Sequence, residues 1–391
     1  MLNTSLSPWP SFTQEEADAV SKVLLSNKVN YWTGTECREF EKEFAAFAGT
    51  QYAVALSNGT LALDVALKAM GIGAGDDVIV TSRTFLASAS CIVTAGANPV
   101  FADVDLNSQN ISAETIKAAL TPNTKAIIVV HLAGMPTEMD DIMDLAKEHD
   151  LWVIEDCAQA HGAKYKGKSV GSIGHVGAWS FCQDKIMTTG GEGGMVTTND
   201  KELWSKMWSY KDHGKSYDAV YHREHAPGFR WLHESFGTNW RMMEMQAVIG
   251  RIQLKRMPEW TARRQAHAAK LAESLGKFAS IRLIEVADYI EHAQYKFYAF
   301  VKPEHLKEGW TRDRIVNELN ARKVPCYQGS CSEVYLEKAF DNTPWRPKER
   351  LKNAVELGDT SLMFLVHPTL TDDEIAFCKE HIEAVLAEAT A

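Results

Sequence analysis

Lys185 and Asp156 carry the clearest chemical signal in this 391-residue sequence. The apolar run Leu151 to Ile154 ends abruptly in Glu155-Asp156, and a second run, Val176 to Phe181, ends just before Lys185. Glycines then crowd in at Gly190, Gly191, Gly193 and Gly194. A carboxylate at the end of one buried strand and a lysine just past another suit a site for a cationic ring and a reactive carbonyl. The carboxylate favours a protonated pyridine nitrogen, and with it a ring that acts as an electron sink. A lysine becomes an amine nucleophile when burial or a nearby cation lowers its pKa. Plainer readings exist: a helix N-cap or ion pair for Asp156, and a solvated surface charge for Lys185. Glu155 is the weaker carboxylate, because neighbouring residues of a strand point to opposite faces.

Other residues join the pattern. Ser57-Asn58-Gly59-Thr60 follows an apolar run and opens a helical one. Backbone N–H groups and the helix dipole make such a junction an anion site, where Gly59 permits close approach and Thr60 adds a hydroxyl. Locally, an N-cap with a glycine turn serves equally well. Phe85, after the next strand, can stack on a flat ring or simply begin a helix as a core residue. Gln159 offers an amide to a ring hydroxyl, and Ser180 a hydroxyl to a phosphate. His161 fits either a pocket wall or a buried backbone carbonyl. Each signal is weak alone. Their order is specific: phosphate turn, stacking aromatic, strand-end Asp, Ser, Lys, glycine loop.

Apolar periodicity says what must bring these residues together. Strands are expected at 52–56, 77–81, 99–103, 125–131 and 152–156, with helices between them at 60–70, 85–95, 113–120 and 138–149. This alternation implies βαβ units and a mostly parallel sheet, whose ligands bind at the carboxyl ends of the strands. The run Ala126-Ile127-Ile128-Val129-Val130 lacks polar alternation, as a central strand buried on both faces does. Strands at 176–181 and 194–198 are joined too briefly for a parallel crossover, so one of them is expected to run antiparallel through an exposed functional loop.

Before this core, residues 1–12 form an irregular arm. Thr13-Gln14-Glu15-Glu16 caps a helix through about Leu25, and 37–47 is an amphipathic helix. After it come a helix at 200–210, a structureless loop at 211–237, a helix at 239–256 ended by Pro258, and a second helix at 259–275. Strands at 281–284 and 294–301 and helices at 311–322, 348–357 and 371–388 complete a smaller α+β unit. The division expected is 1–256 and 257–391, with room for a helix to cross the boundary.

Composition excludes several classes. A formal net charge of −10 argues against general nucleic-acid or anionic-membrane binding. The seven cysteines are scattered, without zinc spacing, and read as reduced thiols; no metal is expected. The segment MLNTSLSPWPSF lacks a basic region followed by an apolar one, and no apolar stretch approaches the ~20 residues that span a bilayer. A cytoplasmic protein is expected.

Taken together, the sequence resembles the sugar aminotransferases of the DegT/StrS type, which are fold-type I enzymes dependent on pyridoxal 5'-phosphate (PLP). The resemblance runs from Phe12 to the C-terminal helix. It is strongest in SNGTLAL (57–63), EDCAQAHGAKYKGKSVGSIGHVGAWSF (155–181), TTGGEGGMV (188–196) and GTNWRMMEMQAVIG (237–250). It implies an α/β large domain with a mostly parallel, mixed seven-stranded sheet and a smaller C-terminal α+β domain. It also implies that Lys185 forms the Schiff base and shuttles protons, that Asp156 pairs with the pyridine nitrogen, and that Gln159 reaches the ring hydroxyl. Gly59, Thr60 and Ser180 would hold the phosphate, under a stacked Phe85. Asn239 would reach the phosphate of a neighbouring subunit's cofactor, making a homodimer with shared active sites. Arg230 and the 211–237 loop would meet substrate across the same interface, with His161 a further candidate for substrate contact.

The activity implied is amino transfer from glutamate to a nucleotide-linked 3- or 4-keto-6-deoxy sugar, for an O-antigen or lipopolysaccharide type of polysaccharide. A PLP-dependent dehydratase of the same fold replaces the lysine with histidine, and Lys185 argues against it. The intact set of Lys185, Asp156 and Gln159 argues against a regulatory homologue without turnover. Two departures from the family pattern stand out. Thr81-Ser82-Arg83-Thr84-Phe85 lacks the usual proline before Thr-Phe, with Arg83 open to solvation. Cys182-Gln183-Asp184 precedes Lys185, ahead of glycines that read TTGGEGG. Neither is expected to touch the assigned chemistry.

Overall fold

The structure is a computed structural model that describes residues 6–228 and 230–391. The expected arm, 1–12, lies partly outside these residues; within them, 6–12 form neither helix nor strand. Helix α1 (Gln14–Leu25) opens on the expected capping box of Thr13 and Glu16. Helix α2 (Glu36–Ala48) buries Phe40 and Phe44 and ends at Gly49 in the left-handed region, φ 70°.

The alternating core follows as expected: β1 (Tyr52–Leu56), α3 (Gly59–Ala69), β2 (Asp77–Thr81), α4 (Ala87–Thr94), β3 (Asn98–Ala102), α5 (Ala113–Ala119), β4 (Thr124–Val130), α6 (Met139–Glu148) and β5 (Trp152–Asp156). Two short strands, β6 (Lys164–Tyr165) and β7 (Lys168–Ser169), precede β8 (Val176–Ser180) and β9 (Gly194–Thr198). The main sheet has seven strands in the order β1-β9-β8-β5-β4-β2-β3. Strand β9 runs antiparallel to both β1 and β8, and the remaining pairs are parallel. Alternate residues of β4 explain its unbroken apolar run: Ile128 packs with Val54 and Leu63 on one face, and Ile127 with Met139 and Ile142 on the other.

Register decides where the site lies. Leu56 and Ser180 both pair with Gly194, while Asp156 pairs with Val130 and Ala178. The carboxyl ends of β1, β5 and β8 therefore share one rim. The loop from β8 to β9 is less exposed than expected, since Ile186 to Thr189 are buried.

Three expectations about the second half need correction. The 211–237 segment is not structureless: after α7 (Lys201–Lys211) it contains α8 (Tyr217–Tyr221), and Asp212 anchors it by accepting from Lys215 (2.8 Å) and Arg241 (2.6 Å). Residues 239–243 are not helical. Asn239 bridges to Asp212 and Arg241 to Leu56, leaving no helical backbone there. Last, the two helices flanking Pro258 are a single 32-residue helix, α9 (Glu244–Leu275). Proline inside a helix costs about 3 kcal/mol, through its missing N–H and its ring. Packing on both sides offsets this. Met257 and Trp260 join one apolar cluster with Phe40 and Trp179, and Leu271 and Leu275 join another with Phe297 and Ile382. The position expected to divide the chain, 256, thus lies inside a continuous helix.

The C-terminal part adds β10 (Ile281–Leu283), β11 (Ile290–Glu291), β12 (Phe297–Val301), α10 (Arg312–Ala321), β13 (Cys326–Tyr327), α11 (Lys352–Thr360), β14 (Ser361–Phe364) and α12 (Asp372–Ala389). Its sheet runs β10-β12-β14-β13. A small sheet, β11-β6-β7, joins it to the segment after β5. Among the described residues, no helix is long and apolar enough to cross a membrane.

Candidate active site

A cavity of about 570 Å³ opens at the rim where β1, β5 and β8 end. Gly59, Thr60, Phe85, Asp156, Gln159, Ser180 and Lys185 all line it. The rim gathers residues that lie far apart in sequence because each follows a strand of the same sheet.

Asp156 is buried at the end of β5. Its Oδ2 accepts from Ser88 Oγ (2.8 Å) and its Oδ1 from the Ala158 N–H (3.1 Å). Burial pushes its carboxyl up, against the pull of these hydrogen bonds and of Lys185. A cationic partner at this end of β5 would favour its charged form. Glu155 points the other way, as alternation requires. It is fully buried and accepts from His131 Nε2 (2.9 Å) and from the N–H groups of Gly171, Ile173 and Gly174. The Thr137 N–H donates to His131 Nδ1 (3.1 Å), so Nε2 carries the proton. His131, Glu155 and Cys157 come close enough to hold a metal ion, but the His131 and Glu155 atoms are already engaged in this network.

Gln159 takes the Ala133 N–H on Oε1 (2.8 Å), leaving its NH2 end as a donor. Asn58 caps α3 by accepting from Leu61 N (3.0 Å), and Gly59 begins the helix. A Cβ on Gly59 would stand 2.5 Å from Ser180 Cβ, so only glycine lets the helix start approach β8. Bare amides, a helix N-terminus and the Ser180 hydroxyl together make an anion cradle. Phe85 is 70% exposed on the cavity wall, not buried in the helix it precedes.

Lys185 sits just past β8, its side chain 16% exposed. Trp9 Nε1 donates to its carbonyl (2.8 Å), and its own N–H donates to Cys182 O (3.0 Å). The two sequence departures differ in where they lie. Asp184 does touch the lysine: Oδ1 lies 3.8 Å from Lys185 Nζ. Arg83 is not solvated but fully buried, donating to Gln109 Oε1 (3.1 Å) and Ser361 Oγ (3.2 Å), with burial lowering its pKa.

Three named candidates do not line the cavity. His161 is buried among Phe44, Trp179 and Phe181, and burial, then Lys185 and Arg264, push its pKa down to about 3. Arg230 and Asn239 are exposed. Sequence reasoning missed Ser88, Asp184, Glu192 and Tyr295. Ser88 was within reach, one helical turn past the Thr84-Phe85 pair. Tyr295 carries no local signal at all.

The donor set fits a phosphorylated pyridine aldehyde: an anion cradle, an amide donor, a buried carboxylate and an amine. A model of the DegT/DnrJ/EryC1/StrS aminotransferase family matches residues 10–383. The chain is 41% identical over 363 residues to a UDP-N-acetyl-3-dehydro-α-D-glucosamine 3-aminotransferase of Acidithiobacillus ferrooxidans, covering 91% of this chain and 90% of that protein. It is 35% identical over 378 residues to the spore coat polysaccharide biosynthesis protein SpsC of Bacillus subtilis, covering 96% and 95%. The X-ray structure of an aminotransferase from Psychrobacter cryohalolentis matches with a TM-score of 0.96 at 65% identity, over 98% of this chain and 99% of that one.

Proposed function

The chain belongs to the DegT/DnrJ/EryC1/StrS aminotransferase family, and we propose that it moves an amino group from glutamate to a nucleotide-linked 3- or 4-keto-6-deoxy sugar. It is an aminotransferase with the fold-type I architecture, and its cofactor is PLP. When bound, PLP supplies an aldehyde that amines join and a ring that takes up the electrons left by a departing α-proton.

The chain's own residues divide the rest of the work. The amides at the start of α3, Thr60 and Ser180 hold the phosphate. Asp156, steadied by Ser88 and Ala158, keeps a proton on the ring nitrogen. The Gln159 amide donates to the ring hydroxyl, and Phe85 covers the ring. Lys185 is the amine that would join the cofactor, and its Nζ would then hold and return the proton that amino transfer displaces. The observation that carries this reading is the convergence of Gly59, Asp156, Gln159, Ser180 and Lys185 on one cavity.

Charge favours a second copy of the chain. Among the described residues, Asp156, Asp184 and Glu192 line the cavity with Lys185 as the one basic side chain. A cofactor phosphate, a sugar diphosphate and a dicarboxylate donor all need positive charge that these side chains lack. Arg230 and Asn239 are proposed to supply donors to the neighbouring subunit's cavity. Trp231 (92% exposed) and Phe236 (99% exposed) lie on the same loop and favour burial at an interface. The homodimer is proposed to work in the cytoplasm, in O-antigen or lipopolysaccharide-type synthesis.

One observation favours a second substrate. The Acidithiobacillus relative is named for a 3-keto sugar that keeps an acetamido group. A UDP-linked 3-keto acetamido sugar is therefore the alternative to a 6-deoxy one. Incubating the holoenzyme with glutamate and a panel of nucleotide keto sugars, followed by mass spectrometry, tests both. A nucleotide amino sugar is expected, and no amino product from any member of the panel would overturn the reading.

A further inference from the structure

Asp184 and Tyr295 are 111 residues apart in sequence, yet they meet beside Lys185. The Tyr295 hydroxyl donates to Asp184 Oδ2 over 2.6 Å. The other oxygen, Oδ1, lies 3.8 Å from Lys185 Nζ, and Nζ stands 5.3 Å from the centroid of the Tyr295 ring. Tyr295 is fixed from behind. Its N–H donates to Ala133 O (2.9 Å), and the Ala293 N–H to Gly134 O (2.9 Å). Ala133 also holds Gln159 through its own N–H. One backbone residue thus links the proposed ring-hydroxyl donor to the partner of the lysine.

We propose that Asp184, steadied by Tyr295, is the resting place of the Lys185 ammonium whenever that amine is not joined to the cofactor. The inference rests on reading Lys185 as the cofactor's amine. In the part of the cycle where the amino group rides on the cofactor, the lysine is free, on a flexible four-carbon stem. Without an anchor its ammonium would swing to water or to other anions in the cavity. A carboxylate on one side and an aromatic face on the other attract the ammonium and cost little once it gives up its proton.

The protonation states agree with this geometry. Burial raises Asp184, but Lys185 and the Tyr295 hydroxyl bring it net below its ordinary value, so it stays charged. Burial and then Asp184 push Tyr295 well up, so it stays a phenol and a donor. Asp156, His161, Lys296 and Cys182 also feel the lysine charge. Among these groups and Asp184, only Asp184 places a carboxylate oxygen within 4 Å of Nζ.

The affinities of the full-length protein for PLP and for pyridoxamine phosphate test this. Binding PLP consumes the free ammonium and so gives up its contact with Asp184; binding pyridoxamine phosphate does not. Effects of Asp184 on the phosphate cancel in the ratio of the two dissociation constants. Asp184→Asn is expected to lower the ratio Kd(PLP)/Kd(pyridoxamine phosphate) about fivefold, the scale of a half-exposed ion pair. Tyr295→Phe, which keeps the ring and the packing, is expected to lower it about twofold. Asp184→Glu is expected to restore most of it. A ratio unchanged or raised in folded Asp184→Asn and Tyr295→Phe proteins would overturn the inference. Borohydride trapping of cofactor on Lys185 in the unaltered protein separates the two claims. Trapping with an unchanged ratio sinks only the resting place; no trapping sinks the reading beneath it.

Discussion

The Ser88 hydroxyl donates to Asp156 Oδ2 over 2.8 Å, and Thr84 Oγ1 lies 2.9 Å from the same hydroxyl. The turn that presents Phe85 to the cavity therefore also orients the carboxylate. Asp156→Asn keeps the shape and loses the charge that holds a ring proton. Its kcat should fall on the order of 100-fold, as loss of an acid–base group does. Ser88→Ala should cost about tenfold by leaving the carboxylate less fixed. Steady-state kinetics with circular dichroism as a folding control checks both, and an Asp156→Asn enzyme of normal kcat would contradict the assignment.

Gly59→Ala places a methyl where Ser180 Cβ would stand 2.5 Å away. Since both residues belong to the proposed phosphate cradle, PLP affinity should fall at least about tenfold, the effect of one strained contact of ~1.4 kcal/mol. Equilibrium dialysis measures it. Unchanged affinity in a folded variant would place the phosphate elsewhere.

Three buried histidines make stability depend on pH. Burial, followed for His161 by Lys185 and Arg264 and for His367 by Arg264 and Lys296, pushes His161, His292 and His367 from 6.5 to about 3. Their folded values lie below the unfolded one, so the unfolded chain binds more protons. Their stabilisation is full above about pH 6.5 and is lost as pH falls toward about 3, by roughly 1.4 kcal/mol per unit for each histidine. The denaturation midpoint should drop steadily from pH 7 to pH 5. His161→Leu should flatten the slope and leave kcat/KM within about threefold, because its ring lies among Phe44, Trp179 and Phe181 rather than in the cavity. A large loss of kcat/KM would return His161 to the substrate site.

Glu155→Gln should lower stability by about 3 kcal/mol, because it strips the charge from a buried carboxylate that serves four donors, His131 included. Burial works against ionisation of Glu155, but His131 and the backbone N–H groups hold its pKa net below the ordinary value. That stabilisation is present above the unfolded value near 4.5 and fades as pH falls below it. Thermal and urea denaturation of the variant measure the loss; an unchanged midpoint would contradict it.

Convergence on the cavity was legible in the sequence where a strand and its following turn fix a residue's place. Asp156, Gln159, Ser180 and Lys185 were each readable from a strand end, and the parallel sheet explains why they meet. The continuity of helix α9 is not legible locally, because a rule about Pro258 cannot weigh the packing of Met257 and Trp260 on one side and Leu271 on the other. The sequence leaves Arg83 open to solvation because charge alone does not reveal that Gln109 and Ser361, from distant segments, bond it. Tyr295 reaches Asp184 only through backbone bonds to Ala133 and across a long stretch of chain, so nothing near it in sequence announces the contact. The three-stranded β11-β6-β7 sheet is not legible for a second reason: each strand is two residues long, too short to show alternation.

Everything proposed for the cavity turns on Lys185 being the amine that joins the cofactor. Borohydride reduction of the purified holoenzyme, followed by peptide mass spectrometry, tests it most directly. Loss of the visible absorbance and a reduced cofactor adduct on the peptide containing Lys185 are expected, with no adduct and no amino transfer in Lys185→Ala. An adduct on another lysine, or full transfer by Lys185→Ala, would contradict it.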